Sequence, residues 1–146
     1  MTTKKLGKIT EMQCQVELMK LGCSVSVPLG DDDRYDFIID YNGKLYKVQA
    51  KTSHETNYGS YEFSTRCVRY NSKGYYTTTY NEEQIDFFAT MINNECYLIP
   101  VSECGKKSKA LRFEPKKIIS LLVIIQMLYS IKQKYNYKNY KLNIVE

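Results

Sequence analysis

The sequence predicts one α/β domain: a mixed β-sheet flanked by helices, with an exposed β-hairpin. Three observations carry that prediction. Asn42-Gly43 lies between two alternating runs, the strongest short-range signal for a tight hairpin turn. Ile9, Met12, Val16 and Met19 recur at helical spacing ahead of Gly22. The 146 residues show no internal repeat and no linker, so one domain with a real core is expected. The domain is placed at residues 1–132, and 133–146 form a C-terminal tail, either packed or partly disordered.

Composition narrows the function classes. The net charge of +5 is compatible with nucleic acid or an acidic surface, but a Lys-, Asn-, Tyr- and Ile-rich chain is also what an AT-rich genome encodes. Five cysteines (Cys14, Cys23, Cys67, Cys96, Cys104) are widely spaced with no CxxC, which argues against a disulfide framework and a zinc knuckle. His54 is the sole histidine, so zinc hydrolases needing several His ligands are excluded. The start has no charged-then-apolar signal pattern, and the run 118–128 is shorter than the ~20 residues of a membrane span. A cytoplasmic protein without a membrane contact is expected.

Taken in order, Lys8–Leu21 reads as the first helix, with Ile9, Met12, Val16 and Met19 toward the core and Gly22 as its stop. Glu11 lies in its first turn, where the helix dipole alone would favour a carboxylate. Cys23–Leu29 alternates briefly as a first strand, and Pro28 ends it or marks an edge. Gly30–Asp33 reads as a solvated acidic loop, since its aspartates do not match calcium-loop spacing. The hairpin 34–53 follows. After it, Cys67–Tyr70 and Tyr75–Tyr80 flank the turn Asn71–Gly74 and form a second, exposed hairpin. Asn81-Glu82-Glu83 reads as a helix start, with Ile85, Phe88, Ala89 and Ile92 as its periodic face. Glu95–Val101 is a buried strand, Lys106, Lys107 and Lys109 make a basic loop, and Ala110–Phe113 forms a short strand. Pro115 opens a helix to about Lys132 that is apolar almost all round. Its part 118–131 is either a core helix or an oligomer interface.

The first hairpin brings chemistry together. With Asn42 and Gly43 as the turn, Tyr41 pairs with Lys44, Ile39 with Tyr46, Phe37 with Val48 and Tyr35 with Ala50. The other face then places Asp36 opposite Gln49, with Lys51 following on the same side. Asp36, the Gln49 side-chain carbonyl and the Ala50 backbone carbonyl are oxygen donors suited to Mg²⁺, and Glu11 could complete the shell. Lys51 can orient an attacking water or offset charge on a reacting phosphorus. The second hairpin interleaves Arg66, Arg69 and Lys73 with Tyr75, Tyr76, Thr77 and Thr79. Such a ribbon suits a DNA major groove, although strand propensity alone also favours these residue types. Lys4, Lys5 and Lys8 add positive charge at the N-terminus.

Glu11, Asp36 in RYDFII and Gln49-Ala50-Lys51 in KVQAKTS resemble the PD-(D/E)XK nuclease superfamily. The resemblance spans about the first hundred residues, with IDFFA as a helix and CYLIPV as a strand. Within the superfamily the chain looks most similar to the bacterial group I intron homing endonucleases, a branch with glutamine in the same motif position. It departs from the superfamily pattern in having Tyr35 before Asp36 and a neutral Gln49. The resemblance implies a restriction-endonuclease-like core and a Mg²⁺-dependent double-strand DNA endonuclease, with Mn²⁺ able to substitute. It also implies Glu11, Asp36, Gln49 and Lys51 as catalytic residues, and Asp36, Gln49, Ala50 and Glu11 as metal ligands. Its partners would be double-stranded DNA and further copies of the chain, as a dimer or tetramer. The alternatives are a junction resolvase or restriction-type nuclease of the same superfamily, and a DNA-binding module without chemistry. The long 55–80 insertion disfavours the resolvase, and Gln49 favours the inactive module.

Overall fold

Thr2 caps the first helix in the computed structural model of the chain, which describes residues 1–30 and 32–112. Its side chain accepts from the Lys5 N–H at 3.3 Å, so helix α1 runs Thr3–Lys20 and begins earlier than the apolar periodicity suggests. Gly22, at φ 89°, closes it through N–H bonds from Gly22 to Met19 and from Cys23 to Leu18. The buried face of α1 is Thr10, Cys14 and Leu18, not the expected stripe. Met12, Val16 and Met19 are 55, 50 and 58% exposed, and Ile9 is half-buried. Small Thr10 and Cys14 let the helix lie close on the sheet, and a 3.1 Å hydroxyl contact between Thr10 and Thr52 holds that rotation.

The sheet under α1 contains β1 (Ser24–Ser26), β2 (Phe37–Tyr41), β3 (Lys44–Ala50), β8 (Phe87–Ile92) and β9 (Glu95–Pro100), in the order β1-β2-β3-β8-β9. Only β3 and β8 run parallel, so the sheet is mixed as expected. Between them the chain makes β4 (His54–Glu55), β5 (Ser60–Ser64), β6 (Arg66–Asn71) and β7 (Gly74–Thr79). Strands β4 and β5 join β10 (Ser108–Arg112) in a small sheet, while β6 and β7 form a two-stranded ribbon of their own.

The hairpin register matches the Asn-Gly reading: Tyr41 faces Lys44, Ile39 faces Tyr46 and Phe37 faces Val48. Asn42 at φ 53° and Gly43 at φ 77° supply the left-handed turn. Tyr35 departs from the expectation. It packs against a different cluster from Ala50, because the chain leaves the ladder at Asp36, whose N–H bonds the Val48 carbonyl at 2.9 Å.

The helix expected over Ile85–Ile92 is instead β8, at the heart of the sheet. Phe87 and Ala89 join the core beneath α1, with Cys14, Leu18, Phe37, Ile39 and Val48. Phe88 and Ile92 face the other way, into a second core with Phe63, Ile99 and Leu111. A run that is apolar on both faces suits a central strand, and its spacing fits a helix equally well. Burial decides: each large side chain contributes ~1.5–3 kcal/mol, against helix preferences of only ~0.7 kcal/mol or less per residue. Asn81 does cap, accepting from the Gln84 N–H at 3.1 Å, but for a single turn. The IDFFA segment is therefore a strand. The helix expected from Pro115, its 118–131 interface and the 133–146 tail lie outside the described residues.

Candidate active site

Asp36 enters β2 and Gln49-Ala50 close β3, so the hairpin delivers them to one corner of the sheet. The Asp36 Oδ2 accepts from the Ala50 N–H at 2.8 Å and from Gln49 Nε2 at 2.5 Å. The same Gln49 nitrogen lies 3.3 Å from the Ala50 carbonyl oxygen. Two oxygen acceptors thus converge on one electropositive nitrogen. Lys51 follows, fixed by its N–H to the Ala89 carbonyl of β8 at 2.8 Å, and its ammonium donates to the Arg66 carbonyl at 3.0 Å.

Burial is the main force on both charges. It pushes the Asp36 carboxyl above its ordinary range, and the nearby Glu11 charge adds to this, while the Ala50 N–H, the Gln49 amide and Lys51 oppose it. Burial likewise lowers the Lys51 ammonium, against the pull of Asp36.

Glu11 lies on α1, next to Thr10, whose hydroxyl meets Thr52 just past the corner. Its carboxylate accepts from Lys8 Nζ at 2.7 Å and Gln15 Nε2 at 3.2 Å, so its direct bonds stay on α1 while its field reaches Asp36. No group of three or more His, Cys, Asp or Glu side chains that could hold a metal occurs among the described residues. A cation here would rest on Asp36, the Ala50 carbonyl, the Gln49 carbonyl and Glu11. The convergence of two oxygens on the Gln49 nitrogen fits such an ion, and an all-oxygen donor set suits Mg²⁺.

Two further residues build the corner, and neither was among the candidate site residues. Tyr80, just past β7, donates its hydroxyl to Gln49 Oε1 at 3.1 Å. Its ring lies under the Arg34 guanidinium at 4.4 Å and near the Lys51 ammonium at 5.1 Å. Arg34 donates to Thr78 Oγ1 at 3.0 Å, the Thr79 carbonyl at 2.7 Å and Gln84 Oε1 at 3.3 Å. Arg34 had no periodic signal, because the chain bends over 33–36 before β2 begins. Tyr80 had none either, because its meeting with Gln49 depends on how the ribbon folds back.

The ribbon divides the candidate DNA-binding residues between its faces. Pairing sets Arg66 opposite Thr79, Val68 opposite Thr77 and Tyr70 opposite Tyr75 on the more exposed face. Arg69 pairs with Tyr76 on the face shared with half-buried Cys67 and Thr78. Arg69 also reaches the Asp32 carbonyl at 3.4 Å. Lys73 occupies the exposed turn at the tip. Val68 and Tyr70 join the exposed face, where Tyr70 and Tyr75 stack edge to face at 5.0 Å. Lys4, Lys5 and Lys8 are exposed on α1, away from the ribbon in sequence.

Comparison with known proteins adds to this geometry. A PD-(D/E)XK endonuclease family model matches residues 1–124. No curated protein matches the chain. Among solved structures, the chain is similar to a bacterial homing endonuclease, I-Ssp6803I. The TM-score is 0.71 and the identity 26%, over 92% of this chain and 99% of that one. No described helix is long and apolar enough to cross a membrane.

Proposed function

Since the chain belongs to the PD-(D/E)XK endonuclease family, we propose that it is a Mg²⁺-dependent, site-specific double-strand DNA endonuclease of the homing type. The observation that carries this is the meeting of Asp36, Gln49, the Ala50 carbonyl and Lys51 at one corner of the sheet. Asp36, Gln49, Ala50 and Glu11 would hold the metal, with Mn²⁺ able to substitute. When bound, the ion supplies Lewis-acid stabilisation and a more acidic water. Lys51 follows Ala50 directly in the chain. It would orient the incoming water by hydrogen bonding and offset charge growing on the phosphoryl oxygens.

The exposed ribbon face, with Arg66, Tyr75, Thr77 and Thr79, would read base edges in the major groove, and Lys73, Lys4, Lys5 and Lys8 would contact phosphates. A homo-oligomer, dimer or tetramer, would cut both strands of a near-palindromic site. The similarity to a homing endonuclease supports this reading over a junction resolvase.

The second reading, a DNA-binding module without chemistry, is favoured by Gln49 itself: a neutral amide stands where the family motif carries a carboxylate, so the corner has one negative charge fewer to hold a cation. One experiment separates the two. The protein is incubated with Mg²⁺ and a randomised duplex library, and the cut ends are sequenced, with Lys51→Ala as control. Discrete cuts within one enriched motif, absent in the control, are expected. Duplex binding without cuts would overturn the enzymatic reading in favour of the module.

A further inference from the structure

Gln49 is an asymmetric group in a place where a carboxylate would be symmetric. Its nitrogen donates to Asp36 Oδ2 and lies near the Ala50 carbonyl, and its oxygen accepts from Tyr80. That arrangement suits a corner without a cation, since an amide N–H neutralises part of the oxygen charge. A cation between the same oxygens needs the other end of the amide, because only the carbonyl can ligate. The amide must then turn over, and its NH₂ comes to face Tyr80.

A phenol hydroxyl serves both arrangements. It donates to a carbonyl and accepts from an N–H. In the turned arrangement its own proton needs another acceptor, and the nearby Cys67 side chain, which acts on the same hydroxyl, could take it. The hydroxyl stands on a fixed base, because the Tyr80 ring packs edge-on against Phe88 at 5.3 Å and beneath Arg34. A phenylalanine would keep those ring contacts but would leave only the Gln49 carbonyl unmet in the present orientation, whereas in the turned one it would strand an NH₂, the costlier loss in a part-buried site.

We propose that Tyr80 is a positioning residue for metal binding: its hydroxyl holds Gln49 in either amide orientation and so lets the carbonyl turn toward a divalent cation beside Asp36. The proposal rests on the reading of Asp36 and Gln49 as metal ligands. It also explains how a neutral glutamine can serve at this position, through a partner that accepts the displaced NH₂.

The test is Mn²⁺ affinity, measured on the full chain by loss of the free-ion electron paramagnetic resonance signal. Four proteins are compared: wild type, Tyr80→Phe, Gln49→Glu and the double variant Gln49→Glu/Tyr80→Phe, with Asp36→Ala as the site control. Tyr80→Phe is expected to weaken Mn²⁺ about tenfold in the wild-type background. In the Gln49→Glu background, where the carboxylate has no orientation to choose, it should weaken Mn²⁺ less than about twofold. Equal weakening in both backgrounds would show a packing role only and overturn the proposal. Unchanged affinity in Tyr80→Phe would overturn it too. A wild type that binds Mn²⁺ no better than Asp36→Ala would instead overturn the metal reading on which the proposal stands. Wild-type protein gives a second measurement free of any folding defect. The Gln49 side-chain NH₂ resonances should shift on adding Mg²⁺, and their remaining unmoved at saturating Mg²⁺ would overturn the turnover of the amide.

Discussion

The Lys51 ammonium donates to the Arg66 carbonyl at 3.0 Å, and this bond ties the candidate catalytic lysine to the first residue of the ribbon. The acceptor is backbone, so substituting the Arg66 side chain leaves the bond in place. Lys51→Met loses that bond and the charge, while Arg34 still holds the ribbon, so cleavage should fall about a thousandfold or more and duplex affinity far less. Single-turnover cleavage and fluorescence anisotropy on the same target measure the two quantities. Cleavage near the wild-type rate would remove Lys51 from the site.

On the ribbon, the exposed face and the tip should behave differently. Thr77→Ala or Arg66→Ala is expected to lower affinity for the target by about 1–3 kcal/mol and to relax preference at particular base pairs. Lys73→Ala should weaken all duplexes alike and reduce the salt slope by about one. Arg69→Ala, on the opposite face, should change sequence preference least. Anisotropy titrations across several salt concentrations and duplex sequences distinguish these outcomes. A loss of sequence preference in Arg69→Ala alone would reverse the assignment of faces.

Arg34 clamps the ribbon through Thr78, the Thr79 carbonyl and the Tyr80 ring. Arg34→Ala should cost about 2 kcal/mol, with the loss confined to the ribbon's attachment. Hydrogen exchange should quicken over 66–79 and stay slow in β8. Equal acceleration in both segments would mean that Arg34 supports the whole fold.

The Asp36 carboxyl gives the metal-free protein a pH dependence of definite sign. Burial raises its affinity for a proton in the folded state, so between the ordinary carboxylate value and the raised one the folded chain holds more protons than the unfolded. Stability contributed by Asp36 is complete below that window and falls as pH rises through it. A decline in Tm is expected there, absent in Asp36→Asn and reduced by Mg²⁺. Lys51 has the opposite sign at the alkaline end. Its lowered ammonium makes the folded chain shed protons first, so its contribution grows as pH rises. Calorimetry across pH, with and without Mg²⁺, reads both.

Thr90 offers a change that should stabilise. It is fully buried in β8, and its hydroxyl has no hydrogen-bond partner among the described residues. Thr90→Val removes the stranded oxygen at equal size and is expected to add about 1 kcal/mol, seen as a higher urea midpoint. A lower midpoint would indicate a partner for that hydroxyl.

The corner was largely legible from residue order because a tight turn converts sequence distance into spatial pairing. Asn42-Gly43 fixes which residues oppose each other, and Asp36 meets Gln49 as a consequence. Strand β8 was not legible, because Ile85, Phe88, Ala89 and Ile92 satisfy a helical spacing while alternate residues fill two different cores. The α1 stripe misled for a related reason. Its large apolar residues Met12, Val16 and Met19 point outward, and small Thr10 and Cys14 take the contact. Hydrophobicity marks what prefers burial, but closeness of approach selects which helix face is used.

Among the described residues, strands β6 and β7 pair only with each other, and Arg34 and Lys51 grip this ribbon largely through the carbonyls of Thr79 and Arg66. Attachment by main chain leaves most ribbon side chains free to vary without disturbing the corner. On the proposed reading, such an arrangement would favour rapid retargeting: substitutions at Arg66, Val68, Tyr75 or Thr77 would drift toward a new sequence while the corner is inherited intact. A laboratory selection randomising those positions, with Thr78 and Tyr80 held constant, would exploit the same separation.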